Sequence, residues 1–173
     1  CMNAVNLMDG LDGLAAGICL FVSLTLFLVA LIFHNVIGML LMAGVSGAIL
    51  GFLVFNFYPA KIFLGDSGSM LLGFLMAALS LIGSTRKAET AIALLIPVVA
   101  LGVPILDTSI TIIRRWYHRF PISVPDRQHI HHVLVSMGYS QRRAVLTLYS
   151  VTVILGGAAL LITVARSEIT ILV

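Results

Sequence analysis

The 173-residue chain is 60% hydrophobic and only 10% charged, with a mean hydropathy of +1.13. Soluble domains carry about a quarter of their residues charged, so that class is excluded and a membrane protein is expected. Ten Lys and Arg against seven Asp and Glu leave a formal charge of +3, but the basic residues are strung between apolar runs rather than gathered into a stripe, which argues against a nucleic-acid partner.

Two cysteines, Cys1 and Cys19, are too few for a disulfide framework, and Cys19 sits in an apolar run as a small hydrophobe. A spanning helix needs about 20 mostly apolar residues. Leu14–Phe33 meets this without a charge, His34 and Asn35 mark a tight turn, and Val36–Phe55 follows. The second run carries Gly38, Gly44, Gly47 and Gly51, a spacing that lets another helix approach closely. Ser67–Thr85, Thr90–Ile113 and Ala144–Ala165 complete five predicted spans. The fold class is therefore all-α, a polytopic transmembrane helix bundle with residues 1–173 in one domain.

Alternation puts the stretch before Leu14, the Asn56–Asp66 loop and the Arg114–Arg143 loop on one side. That side carries Lys61, Arg114, Arg115, Arg119, Arg127, Arg142 and Arg143; the other has Arg86, Lys87 and Arg166. The positive-inside bias makes the first side cytoplasmic. The opening CMNAVNLMDGLDGL has no charged signal-peptide region and starts within a polar motif, while SEITILV stops as if entering another apolar segment. A piece of a longer protein is expected.

Four constellations carry chemistry. Asn3, Asn6, Asp9 and Asp12 recur every three residues beside Gly10 and Gly13, which on a continuous helix forms one drifting polar stripe. Single aspartates at a helix end often serve only as caps; four polar groups in register point to a ligand. In NFYPAKIFLGDSGS, Asn56–Ser69, Asp66 precedes the third span, and it reads either as an N-cap or, near Asp9 and Asp12, as part of a Mg²⁺ site with substrate phosphates. Lys61 reads equally as a snorkelling anchor or a phosphate contact.

Asp107 lies about two turns from Arg114 and Arg115 in a span weakened by Pro104. An internal ion pair and a structural hydrogen bond fit it equally, and it is assigned to supporting structure. The fourth constellation is PDRQHIHH, Pro125–His132. His129, His131 and His132 allow soft-metal ligation, acid–base work or donation to phosphate. On a helix His129 and His132 share a face while His131 turns away, so with Arg127 alongside anion recognition is favoured over a three-histidine metal site.

The strings NAVNLMDGLDGLAAG, NFYPAKIFLGDSGSMLLG, PILDT with the following Arg pair, and PDRQHIHHVLVSMGYSQRRAV, in this order, resemble the polyprenyl-phosphate N-acetylhexosamine-1-phosphate transferase family over nearly the whole chain. The resemblance implies a polytopic bacterial plasma-membrane enzyme with a cytoplasmic active site. Such an enzyme moves a sugar-1-phosphate from a UDP-N-acetylhexosamine to undecaprenyl phosphate with Mg²⁺, or Mn²⁺ in its place, releases UMP, and in some members assembles as a homodimer.

By motif, the resemblance implies Asp66 as a Mg²⁺ ligand with Asp9, and Asp9 and Asp12 as carboxylates lining the nucleotide site. Asn3, Asn6, Asn56 and Arg127 would serve as substrate contacts, Phe63 as a ring for the uracil, and His129, His131 and His132 as the histidine motif beside the phosphates. The His-Ile-His-His spacing resembles the branch that transfers GlcNAc-1-phosphate for teichoic acid, O-antigen or lipopolysaccharide-type glycans, rather than the phospho-MurNAc-pentapeptide branch with consecutive histidines. The family's adjacent aspartate pair does not occur in this chain, so these residues alone are expected to be inactive. A transporter using Asp107 and the broken fourth span, and a non-catalytic half that folds only with its partner segment, are the alternatives from other classes.

Overall fold

The computed structural model describes residues 1–82, 98–99, 101–117, 119 and 129–171, with side chains to Val164. They form seven helices: α1 (Met2–Met8), α2 (Leu14–Ile32), α3 (Val36–Asn56), α4 (Gly65–Ile82), α5 (Gly102–Tyr117), α6 (Ile130–Ser136) and α7 (Gln141–Ile171). No strand occurs among the described residues, and the all-α class expected from hydropathy holds.

Among the described residues three helices are long and apolar enough to cross a membrane, Leu14–Ile32, Val36–Asn56 and Gln141–Val164, with Gly65–Leu81 a shorter apolar helix. The chain is thus a multi-pass membrane protein. Two of the five predicted spans, the third and the fourth, lie partly outside the described residues. The described part of the third ends at Ile82, and residues 90–97 and 100 of the fourth, Thr90–Ile113, lie outside the described residues. What is described of the fourth is α5, which runs past Ile113 to Tyr117. Pro104 does not weaken it, because it falls in the first turn, where a missing N–H leaves no intrahelical bond unmade.

The central element is α2. It is apolar on every side, as a helix surrounded by others must be, and it packs against α3, α7, α4 and α1. The α2–α3 hairpin turns through Phe33–Asn35, and the Asn35 side chain caps α3 by accepting from the Gly38 amide at 2.9 Å. Between these helices Ser23 and Ser46 share a buried hydroxyl–hydroxyl bond at 2.8 Å. The buried Thr152 and Thr163 of α7 return their hydroxyls to the carbonyls of Leu148 and Ala159. These interior hydroxyls are therefore satisfied within the protein, as an environment without water demands.

Hairpin geometry decides where the site lies. The start of α2 and the end of α3 share one end of the bundle, and the Asp12 carboxylate ties them by accepting from the Ala60 amide at 3.0 Å. The start of α7 joins them there: the Tyr149 hydroxyl donates to the Gly13 carbonyl at 2.5 Å, and the Arg142 guanidinium lies 5.8 Å over the Phe57 ring. Gly13 adopts φ +76°, the left-handed region that opens the chain into α2. Gly102, at the start of α5, packs against Leu155 well along α7, so α5 climbs from the middle of the bundle toward the same end.

Candidate functional site

At that end, α1 stops at Met8. Asp9 is its C-cap, with its amide bonded to the Asn6 carbonyl, and Gly10 to Gly13 form a turn before α2. The continuous helical stripe expected for Asn3, Asn6, Asp9 and Asp12 is therefore broken after Asn6. The reason is local, since two glycines and two aspartates within five residues favour a turn over a helix. Asn3 is exposed on α1.

The break turns the polar groups toward different neighbours. α1 packs against α4, with Met2 backbone pressed on Gly73 so closely that a Cβ there would lie 2.7 Å from the Met2 Cα. One end of that contact sets the Asn6 amide between two α4 groups, donating to Asp66 Oδ1 at 3.0 Å and to Ser69 Oγ at 2.9 Å. Ser69 is buried and bonds back to the Gly65 and Asp66 carbonyls at 3.0 and 3.1 Å, holding the first turn of α4 around Asp66. The Asp9 carboxyl is pushed up to about 6, first by burial and then by the negative charge of Asp66.

A buried carboxyl raised further by a neighbouring negative charge suits a cation. No group of three or more His, Cys, Asp or Glu that could hold a metal ion occurs among the described residues. A Mg²⁺ bound by one or two carboxylates and completed by phosphates and water matches that sparse donor set. Asp12 is engaged with Ala60, so its part is to close the loop over this region. Asn56, expected at the nucleotide, is buried and donates to the Ile62 carbonyl at 2.9 Å, shaping the same loop. Phe63 on that loop is 75% exposed, free to stack on a planar ligand.

The histidine segment departs from the helical expectation. His129 is not in the helix: it is the N-cap of α6 with extended backbone (φ −66°, ψ 152°). Its ring therefore leaves the helical face assumed for it, and all three rings come together. His129 and His131 stack parallel with centroids 5.9 Å apart, and His131 and His132 lie 4.3 Å apart. Asp107 of α5 faces His129 Nδ1 at 2.9 Å and accepts from the Ile130 amide at 2.7 Å. Asp107 is thus bonded to the start of the histidine segment. Arg127 lies outside the described residues.

His131 is the middle ring, 1% exposed, with neither nitrogen hydrogen-bonded among the described residues. Burial holds its pKa down at about 4, reinforced by His132 and His129 and opposed by Asp107. Its Nε2 faces Gly10, where an added Cβ would overlap the ring. Glycine is needed here for space, and Gly10→Ala is expected to cost about 1–3 kcal/mol by forcing the ring or α6 to shift; thermal unfolding in detergent checks it.

Sequence reasoning missed Ser69 as a side-chain partner, and also Tyr149 and Arg142. Tyr149 lies 136 positions from the carbonyl it holds, and no spacing signal reports such a contact.

The family model for glycosyl transferase family 4 matches residues 1–84. The chain is 46% identical, over 92% of its length, to the probable undecaprenyl-phosphate N-acetylglucosaminyl 1-phosphate transferase of Bacillus subtilis (strain 168), covering 44% of that protein. It is 43% identical over 91% of its length to the decaprenyl-phosphate N-acetylglucosaminephosphotransferase of Mycolicibacterium smegmatis, also covering 44%. It is 39% identical over 88% of its length to the phospho-N-acetylmuramoyl-pentapeptide-transferase of Desulforudis audaxviator, again covering 44%. The chain thus spans less than half the length of these curated relatives.

Proposed function

The chain belongs to glycosyl transferase family 4, and from that premise we propose that the intact protein transfers GlcNAc-1-phosphate from UDP-GlcNAc to undecaprenyl phosphate at the bundle end described above. The observation that carries the reading is that Asn6 joins two separate acidic segments, its side-chain amide donating to Asp66 and its carbonyl accepting from the Asp9 N–H, with the charge of Asp66 helping to raise Asp9. The higher identities to the GlcNAc-phosphate enzymes, and the His-Ile-His-His spacing, favour this donor over the muramoyl-pentapeptide one. The excess of Lys and Arg at this end makes it the cytoplasmic face of a bacterial plasma membrane.

In this reading an oxygen of the lipid phosphate attacks the β-phosphorus of the UDP-sugar. The bond from that phosphorus to the oxygen bridging toward the α-phosphate breaks, and UMP leaves with the electron pair. A phosphate monoester, with its second pKa near ~6, is already largely ionised at neutral pH, so no strong base is required. Asp9 and Asp66 would hold a Mg²⁺, which when bound would supply positive charge against the diphosphate. Asn6 keeps Asp66 oriented, Asp12 and Asn56 hold the loop that presents Phe63 to the uracil, and the histidine motif lies beside the phosphates. A transport role is served less well, since the interior hydroxyls of Ser23, Ser46, Thr152 and Thr163 are bonded within the bundle rather than lining a path.

The test is UMP release by the intact protein in detergent with Mg²⁺ and undecaprenyl phosphate, offering UDP-GlcNAc and UDP-MurNAc-pentapeptide in parallel. Release with UDP-GlcNAc alone is expected. Release only with the pentapeptide donor would keep the chemistry and overturn the sugar, and release with neither would overturn both.

A further inference from the structure

We propose that Asp107 is a positioning residue of this site: it seats His129 as the Nδ1–H tautomer and anchors the start of the short helix that carries His131 over Gly10. Its effect on turnover rests on the transfer reading above; the tautomer does not.

Asp107 is 5% exposed on the inner face of α5, among Val103, Pro104 and Thr111. A carboxylate buried there is tolerable only if both oxygens have donors. Both do, and the two donors are adjacent residues: Oδ1 accepts from the Ile130 amide at 2.7 Å and Oδ2 faces His129 Nδ1 at 2.9 Å. An ionised carboxylate carries no proton, so Nδ1 must donate, which leaves the Nε2 lone pair as the free position of the neutral ring.

The Ile130 bond has its own consequence. His129 is the N-cap of α6 but its side chain makes no capping bond. Asp107, reaching across from another helix, supplies an acceptor for the first amide of α6, one of the four donors that a helix start leaves without an intrahelical partner. The first residue of α6 is thereby pinned to α5 one position before His131. The His131 ring is then held on two sides, parallel to His129 at 5.9 Å and against Gly10. One carboxylate thus sets a proton position on one histidine and the location of the next.

Asp107→Asn isolates the tautomer. The amide has the same shape: its oxygen can keep the Ile130 bond, while its NH₂ then faces Nδ1 and requires a lone pair there, moving the ring proton to Nε2. The measurement is ¹⁵N imidazole NMR of the intact, histidine-labelled protein, recorded about two pH units above the ordinary histidine pKa of ~6.5 so that neutral rings are read. The His129 signals are assigned with His129→Gln.

Wild-type His129 is expected as Nδ1–H and the Asn variant as Nε2–H. In the UMP-release assay the variant's kcat is expected to fall roughly 10- to 100-fold, with the donor KM moving less than about threefold. A purely structural contact would lower the folded fraction without the tautomer change. Wild-type His129 found as Nε2–H overturns the proposal whether or not the variant folds, and so does a variant that switches tautomer with kcat intact. Failure of the wild-type protein to release UMP from any donor would instead sink the transfer reading, while the spectrum still decides the tautomer.

Discussion

Asp66→Asn in the intact protein is expected to lower UMP release by at least about 10²-fold and to raise the Mg²⁺ concentration needed for half-maximal rate, while leaving the fold unchanged. The fold should survive because the substitution keeps the shape. The oxygen of an asparagine still accepts from Asn6, and the bonds of Ser69 to the Gly65 and Asp66 carbonyls are made to backbone. What is lost is the negative charge beside Asp9. That loss also removes part of what pushes the Asp9 carboxyl up to about 6, so Asp9 should ionise at lower pH in the variant, although the larger share of its shift, from burial, stays. Titration of turnover against Mg²⁺ at fixed pH, with size-exclusion and thermal unfolding as fold controls, reads the effect. Unchanged turnover with unchanged Mg²⁺ dependence would remove Asp66 from the metal site.

Acid should loosen the histidine cluster through His131. Its folded pKa is about 4 against an ordinary 6.5, so below 6.5 the unfolded chain binds a proton that the folded protein refuses. Stability therefore falls as pH drops from 6.5 toward 4 and levels off below that. Between pH 7 and pH 5 the loss assigned to this ring is roughly 2 kcal/mol. Asp9 works in the opposite sense. With its folded pKa raised to about 6, protonation below that pH favours the folded state, so the wild-type profile alone mixes two signs.

The clean quantity is the difference from His131→Leu. The wild type should lose roughly 2 kcal/mol more than that variant between pH 7 and pH 5, measured by thermal unfolding in detergent without Mg²⁺. The leucine variant should also match or exceed wild-type stability at neutral pH, because it removes two buried nitrogens that find no partner among the described residues. It should be inactive in UMP release if those nitrogens meet the phosphates. Equal acid sensitivity in the two proteins would show that His131 does not titrate as a buried group.

The membrane class, the α2 and α3 spans and their turn, and the all-helical architecture were determined by the sequence itself, because uninterrupted apolar runs have few stable alternatives in a bilayer. The residue types of the site were equally legible: Asp9, Asp12, Asp66 and the three histidines stand out in a chain that is 10% charged. Their arrangement was not. A period of three from Asn3 to Asp12 reads as one helical stripe only while the helix continues, and the cap at Asp9 ends it, sending Asn6 to Asp66 and Asp12 to Ala60. The separation of His131 from its neighbours assumed a helix that included His129, whereas α6 begins one residue later, at Ile130. Asn56 became a loop fastener because its nearest acceptor is the Ile62 carbonyl. The pairing of Asp107 with His129 and of Tyr149 with Gly13 belonged to tertiary structure alone. Hydrophobic periodicity reports which residues face inward, but which inward polar group meets which depends on how the helices pack and where each one ends.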